Sequence, residues 1–152
     1  MTSGFTTGMR SSISDSWTTP RDFYERLNSE FNFALDAAAL QSSTLVPSNW
    51  YGPDHPDELR RDSLSRDWAS DSKGGAVWLN PPYGRAIKAF MAKAHFEIGG
   101  GITVVALVPA RTDTQWWWDS CIMHEVRFVK GRLKFGGQKN SAPFPSAVVV
   151  MK

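Results

Sequence analysis

The chain has one cysteine, Cys121. No internal disulfide can form, so the fold must rest on its apolar core, and the composition suits a reducing cytoplasm. No apolar run approaches the ~18 to 20 residues that a membrane-spanning helix needs. The amino terminus lacks the long apolar stretch of a secretory signal. The histidines His55, His95 and His124 are scattered, without ligand spacing, and no metal is expected. Acidic residues are missing after Glu125, while that same stretch carries Arg127, Lys130, Arg132, Lys134, Lys139 and Lys152. In a chain of net charge +2, such a one-signed segment points to a surface facing a polyanion, or to a sheet edge that lysines keep from aggregating.

What remains is the composition of one soluble domain: 152 residues, 41% hydrophobic and 21% charged. Residues 1–16 are Ser, Thr and Gly rich and aperiodic, which predicts a mobile tail ahead of a domain over 17–152. Thr19-Pro20 with Asp22 predicts a capped helix to about Ser29, with Phe23 and Leu27 on one face. A strand is expected up to Asp36, then a turn at Ala37-Ala38. Pro47, Gly52, Pro53 and Pro56 break up residues 41–75, with room for a short helix from Pro56 to Asp62. Strands are expected at 76–79, 102–108 and 147–151, and a helix at 86–98 ended by Gly99. Thr112 and Gln115 predict a second capped helix to about Met123, and Val126 to Phe135 a hairpin hinged at Lys130-Gly131. Trp116, Trp117 and Trp118 sit ~100° apart on a helix, so they cannot all face inward. The order is that of an α/β domain with a mixed sheet.

The run Val77-Trp78-Leu79-Asn80-Pro81-Pro82-Tyr83 is the most informative. Two prolines stop the strand, leaving Asn80 at its lip on a stiff turn. An Asn oxygen and the Pro81 carbonyl can accept both hydrogens of one NH₂ group, and Tyr83 can cover a flat ring. Asn-Pro-Pro also occurs as a plain turn. Asp36, Asn80 and Pro109 all fall at expected carboxyl ends of strands, where α/β sheets bind ligands.

In order, Trp17-Thr18-Thr19-Pro20, Phe33-Ala34-Leu35-Asp36-Ala37-Ala38, Asp67-Trp68, Trp78 to Tyr83, Leu107 to Thr112 and Gly131 to Phe135 resemble the phage-type (Dam-like) DNA N6-adenine methyltransferases. The resemblance implies a trimmed, single-domain, S-adenosylmethionine-dependent methyltransferase sheet of Rossmann-like type, acting on a flipped-out adenine of DNA. It implies catalytic roles for Asn80, Pro81, Pro82 and Tyr83. It implies cofactor contacts from Trp17, Thr18, Thr19, Pro20, Asp36, Ala37, Ala38, Asp67 and Trp68, although no Gly-x-Gly follows Asp36. Substrate contacts would come from Tyr83, Arg111, Lys130, Arg132, Lys134 and Phe135. Phe128 and Phe135 could instead pack in the core, and Arg111 could bind a phosphate or pair with a carboxylate. The same fold could methylate an RNA base or a protein glutamine, or bind nucleic acid without catalysis. No separate recognition domain fits in the chain, which leaves a short site read by the 41–66 loop or the hairpin, or a homodimer.

Overall fold

The computed structural model describes residues 18–136 and 139–152. Trp17 and the tail expected over 1–16 lie outside them. Among the described residues the strands are β1 (Phe33–Asp36), β2 (Ala76–Leu79), β3 (Val104–Pro109), β4 (Glu125–Phe128) and β5 (Ser146–Met151). They form one sheet in the order β1-β2-β3-β5-β4. β1, β2 and β3 are parallel, and β5 runs antiparallel to both β3 and β4. The sheet is therefore mixed, within an α/β fold, as expected. The helices are α1 (Arg21–Phe31), α2 (Trp68–Asp71), α3 (Ile87–Glu97) and α4 (Gln115–Ser120). None is long and apolar enough to cross a membrane.

Alternation along the strands builds a core on each face of the sheet. Val77, Leu79, Val104, Ala106, Val108 and Val149 pack with Met91 and Ala94 of α3 and Trp116 and Trp117 of α4. Trp78, Val105, Leu107, Val148 and Val150 pack with Tyr24 and Leu27 of α1 and with Phe135 and Phe144. Phe33 and Leu35 have the same parity yet lie on opposite faces. A register shift between them in the β1–β2 ladder explains this, since one inserted residue reverses the alternation. Every residue of β3 and β5 is buried, which is why these strands read as continuous apolar runs. Of the three consecutive tryptophans, only Trp118 is exposed.

Several local expectations need correction. The 126–135 hairpin is not formed: β4 pairs with β5, with Glu125 opposite Val150 and Phe128 opposite Ala147. The fully buried β5 offers its free edge an apolar partner, which the charged 130–134 run cannot. Gly131 does turn the chain, at φ 73°, but Phe135 then dives into the core. The expected side-chain caps of α1 and α4 are absent. Thr19 engages Asn80 instead, and the Thr112 carbonyl accepts from the Trp118 indole N–H at 2.9 Å. α4 ends at Ser120, three residues before Met123. The 56–62 helix is reduced to one 3₁₀ turn, Glu58–Arg60, capped by Asp57, and a second, Ser63–Ser65, capped by Asp62, follows it. α3 passes through the 3₁₀ turn Ile98–Gly100 and stops at Gly101, φ 88°, rather than at Gly99. In α1 the buried pair is Tyr24 and Leu27, with Phe23 at the margin.

Candidate active site

Because β1, β2 and β3 are parallel, their carboxyl ends share one edge. Asp36 closes β1, Asn80 follows β2 and Pro109 closes β3. Between the first two opens a narrow cleft of about 40 Å³, lined by Thr18, Thr19, Asp36, Ala38, Leu45 and Asn80 among others. Five of the residues expected at a site thus meet in one place.

Asp36 is 2% exposed. Its carboxylate accepts from the backbone N–H of Leu45 at 2.9 Å and of Ala38 at 3.4 Å, and from the Thr44 hydroxyl at 3.3 Å. Burial pushes its pKa from 3.8 to about 7, against the pull of those three donors. Near neutral pH the cleft therefore holds a carboxyl group close to its midpoint, ready to ionise beside a cation. Ala37 donates its N–H to the Trp78 carbonyl at 2.9 Å and turns its side chain into the α3 face. Ala38 keeps the wall of the cleft low.

Asn80 donates from Nδ2 to the Thr19 hydroxyl at 3.0 Å. Pro81 is buried, while Pro82 and Tyr83 are half-buried. The Tyr83 hydroxyl donates to the Leu107 carbonyl at 3.3 Å. Its ring meets Phe144 edge-on at 5.5 Å and Phe135 at 6.4 Å. Burial holds the phenol well above its ordinary pKa, so this group is a neutral, anchored ring, suited to packing rather than proton transfer.

The family model of the DNA N-6-adenine-methyltransferases (Dam) matches residues 6–151. The chain belongs to this family. It is also 30% identical over 109 residues to a DNA N-6-adenine-methyltransferase of Escherichia phage T1. That similarity covers 71% of this chain and 41% of the phage protein.

Other residues that the Dam resemblance singled out are scattered by the structure. Asp67 caps α2, accepting from the Ser70 N–H at 3.0 Å. Trp68 is fully buried, its backbone N–H held by Glu97 Oε1 at 3.0 Å and its indole by the Ser63 carbonyl at 2.9 Å. Glu97 ends α3, which leaves the site edge after β2 and returns to the amino ends of the strands. The structure therefore does not bring Asp67 and Trp68 to the cleft. Pro20 leads into α1. Arg111 is exposed beyond β3, its guanidinium 5.8 Å from the Phe144 ring. Lys130, Arg132 and Lys134 are exposed on the segment after β4. Phe135 is 1% exposed and supports Tyr83 from inside, whereas Phe128 is 71% exposed. Arg127 is held by Glu30 at 2.7 Å and by Glu125, which removes it from the open cationic set. Among the described residues no group of three or more His, Cys, Asp or Glu is placed to hold a metal.

Sequence reasoning missed the segment beside β1. Asp36 N–H donates to the Asn49 carbonyl at 3.1 Å, Tyr51 N–H to Asp36 at 3.0 Å and Ala39 N–H to Tyr51 at 2.9 Å. Residues 49–51 thus extend the sheet past β1 at its carboxyl end. The Asn49 side chain fastens them to the carbonyls of Ala34 and Asp71, at 2.8 and 2.9 Å. Gly52 is required next, because a Cβ there would lie 1.8 Å from the Ala39 oxygen. Outside this segment lies an open cavity of about 550 Å³, with Thr44, Trp50, His55, Asp57 and Arg60 in its wall. The Trp50 and His55 rings sit 4.3 Å apart. The Trp-Tyr-Gly run was the available signal, but its pairing depends on backbone bonds that no periodicity announces.

Proposed function

We propose that this protein transfers the methyl group of S-adenosylmethionine to the exocyclic amine of an adenine in DNA. One observation carries the reading: Asn80, the first residue of the Asn80-Pro81-Pro82-Tyr83 turn, lines the same cleft as the buried Asp36, in a chain of the Dam family. The finer fold reading is a Rossmann-like methyltransferase sheet trimmed at its β1 edge, where residues 49–51 stand in for a missing strand.

The cleft suits the cofactor by the chemistry of its donors. The Asp36 carboxyl, the Thr18–Thr19 segment and the low Ala38 wall can hold its cationic amino-acid part, and the neighbouring Trp50–His55 cavity has the aromatic wall and the size to take its adenosyl part. When bound, the cofactor supplies an activated methyl on a sulfonium, already a good leaving group. The chain's own task is to make the amine nucleophilic and to align it. The adenine nitrogen donates its lone pair into the ring. The Asn80 side-chain oxygen and the Pro81 carbonyl, accepting one hydrogen each, draw that nitrogen towards a tetrahedral shape and free the pair. Asn80 sits one residue past a buried strand, so both acceptors are held by the sheet. Tyr83 presents a ring braced by Phe135 and Phe144. The exposed Lys130, Arg132 and Lys134, with Arg111, supply a cationic surface for the DNA backbone. The host-cell cytoplasm is the fitting compartment, given a buried free Cys121 thiol.

The test is incubation with labelled S-adenosylmethionine and, in parallel, duplex DNA, RNA and protein. Label is expected on DNA adenine and lost with Asn80→Ala. Label on RNA or protein alone would refute the substrate. Label on DNA that survives Asn80→Ala would refute the site.

A further inference from the structure

We propose that His95 and His124 form a two-nitrogen chelate for a divalent transition-metal ion of the zinc class, at the edge of the sheet opposite the cleft. The two residues are 29 positions apart, so their spacing does not announce a ligand pair. The fold makes one. His95 lies in the last turn of α3. His124 lies just before β4, its backbone N–H bonded to the Cys121 carbonyl at 3.0 Å. α3 ends where the chain turns towards the amino end of β3, and β4 runs in the same direction as β3 with Glu125 at its own amino end. Both imidazoles therefore sit away from Asp36 and Asn80, which mark the carboxyl ends of β1 and β2.

The separation of the rings decides the chemistry. His95 Nδ1 and His124 Nε2 are 3.2 Å apart. With zinc–nitrogen bonds of ~2.05 Å, two nitrogens at that separation subtend ~103° at the metal, close to the tetrahedral angle of about 109°. Imidazole nitrogen suits zinc, nickel and copper, whereas magnesium and calcium take oxygen. In the metal-free chain one ring donates to the other, and that bond holds the nitrogens at chelating distance before an ion arrives. On binding, the donating ring moves its proton through solvent to its outer nitrogen, and both lone pairs then face the gap. Neither outer nitrogen bonds to another described group, so either can carry that proton. Two further features favour a cation here. The carboxyl end of α3 is the negative end of the helix dipole. Lys93 of α3 is paired with Glu97 at 2.9 Å, so its charge is compensated. His95 is exposed and His124 half-buried, which lets an ion enter from solvent and leaves water to fill its remaining positions. The ion clamps the end of α3 to the start of β4, the strand that leads into the basic 130–134 stretch.

The experiment titrates the tag-free, metal-stripped full chain with zinc chloride, followed by calorimetry and by the imidazole signals in NMR, with magnesium chloride as the control. Zinc is expected to bind one ion per chain in the micromolar range and to shift the His95 and His124 signals while those of His55 stay. His95→Gln and His124→Gln should each weaken binding by about tenfold or more, and the double variant should add little, because a chelate is lost with either arm. Zinc should also raise the unfolding midpoint of the wild type and of neither variant. Unfolding in EDTA verifies that the variants fold, and the signal shifts in the wild type stand without them. No heat and no movement of the two signals on adding zinc would overturn the proposal. So would zinc held equally well by His124→Gln, losses that simply add in the double variant, or magnesium bound as tightly as zinc.

Discussion

Asp36→Asn isolates the buried charge at the cleft. In the folded chain the carboxyl titrates near 7 instead of 3.8, because burial outweighs three hydrogen bonds. A tenfold change in a proton-binding constant corresponds to about 1.36 kcal/mol, so holding Asp36 ionised in the free protein costs on the order of 4 kcal/mol. Between pH 4 and 7 the folded state binds the extra proton and the unfolded state does not. Stability from this group is therefore complete below about pH 4, declines as pH rises, and is lost above about pH 7. Asparagine has nearly the same shape and keeps an oxygen for the Leu45 N–H and the Thr44 hydroxyl. Urea unfolding of both proteins from pH 4 to 8 is the assay, because subtraction cancels every other titrating group. The variant should match the wild type near pH 4 and exceed it by a few kcal/mol at pH 8. A cationic ligand reverses the balance. Binding of S-adenosylmethionine near pH 7 should release part of a proton, visible by calorimetry in buffers of different ionisation enthalpy, and should weaken sharply in Asp36→Asn. A stability difference that stays flat with pH would refute the buried-charge argument. Unchanged cofactor affinity in Asp36→Asn would refute the role of the carboxylate.

Three further outcomes follow from the geometry. Tyr83→Phe removes the bond to the Leu107 carbonyl and should lower stability by about 1 kcal/mol in denaturant unfolding with little change in turnover, since the ring and its Phe144 contact remain. Changing Arg132 and Lys134 to Ala should weaken DNA binding about equally on all sequences and reduce the slope of log K against log salt by ~0.9 for each phosphate these side chains neutralise. His124 lies 3.2 Å from His95, and burial with its neighbour's charge lowers its pKa from 6.5. The stability it contributes should be lost as pH falls below about 6.5, and His124→Gln should flatten that part of the unfolding profile.

What is legible in the sequence is what buried β-structure writes into composition. β2 can be read to the residue and β5 to within one, because their side chains are apolar on both faces and bounded by Pro or Gly. The rim is legible for the same reason: three strand ends, each marked by a polar residue or proline, must coincide once the strands are parallel. Contacts set by distant partners are not legible. Thr19 obeys the local rule for a helix cap, yet its hydroxyl serves a residue 61 positions away. The 126–135 segment has good hairpin turn chemistry, and Gly131 does turn, but β5 offers β4 a better edge. Asp67-Trp68 matches a motif and occupies the wrong end of the sheet.

The Asp36 end of the cleft shows why motif and geometry must be weighed together. Asp36 lacks the following Gly-x-Gly, which would ordinarily let a ligand approach the backbone. Here close approach is achieved one layer further out. Residues 49–51 pair with Asp36, Gly52 lets Ala39 come within a distance that no Cβ would permit, and the Leu45 and Ala38 amides converge on the carboxylate. The glycine requirement has moved from the turn after β1 to the segment that flanks it. The five-stranded sheet can then keep a carboxyl group, a small-residue wall and an adjoining aromatic cavity at the end of β1. Gly52 therefore shapes the end of β1 as much as Asp36 does, although it has no side chain by which that part could be marked.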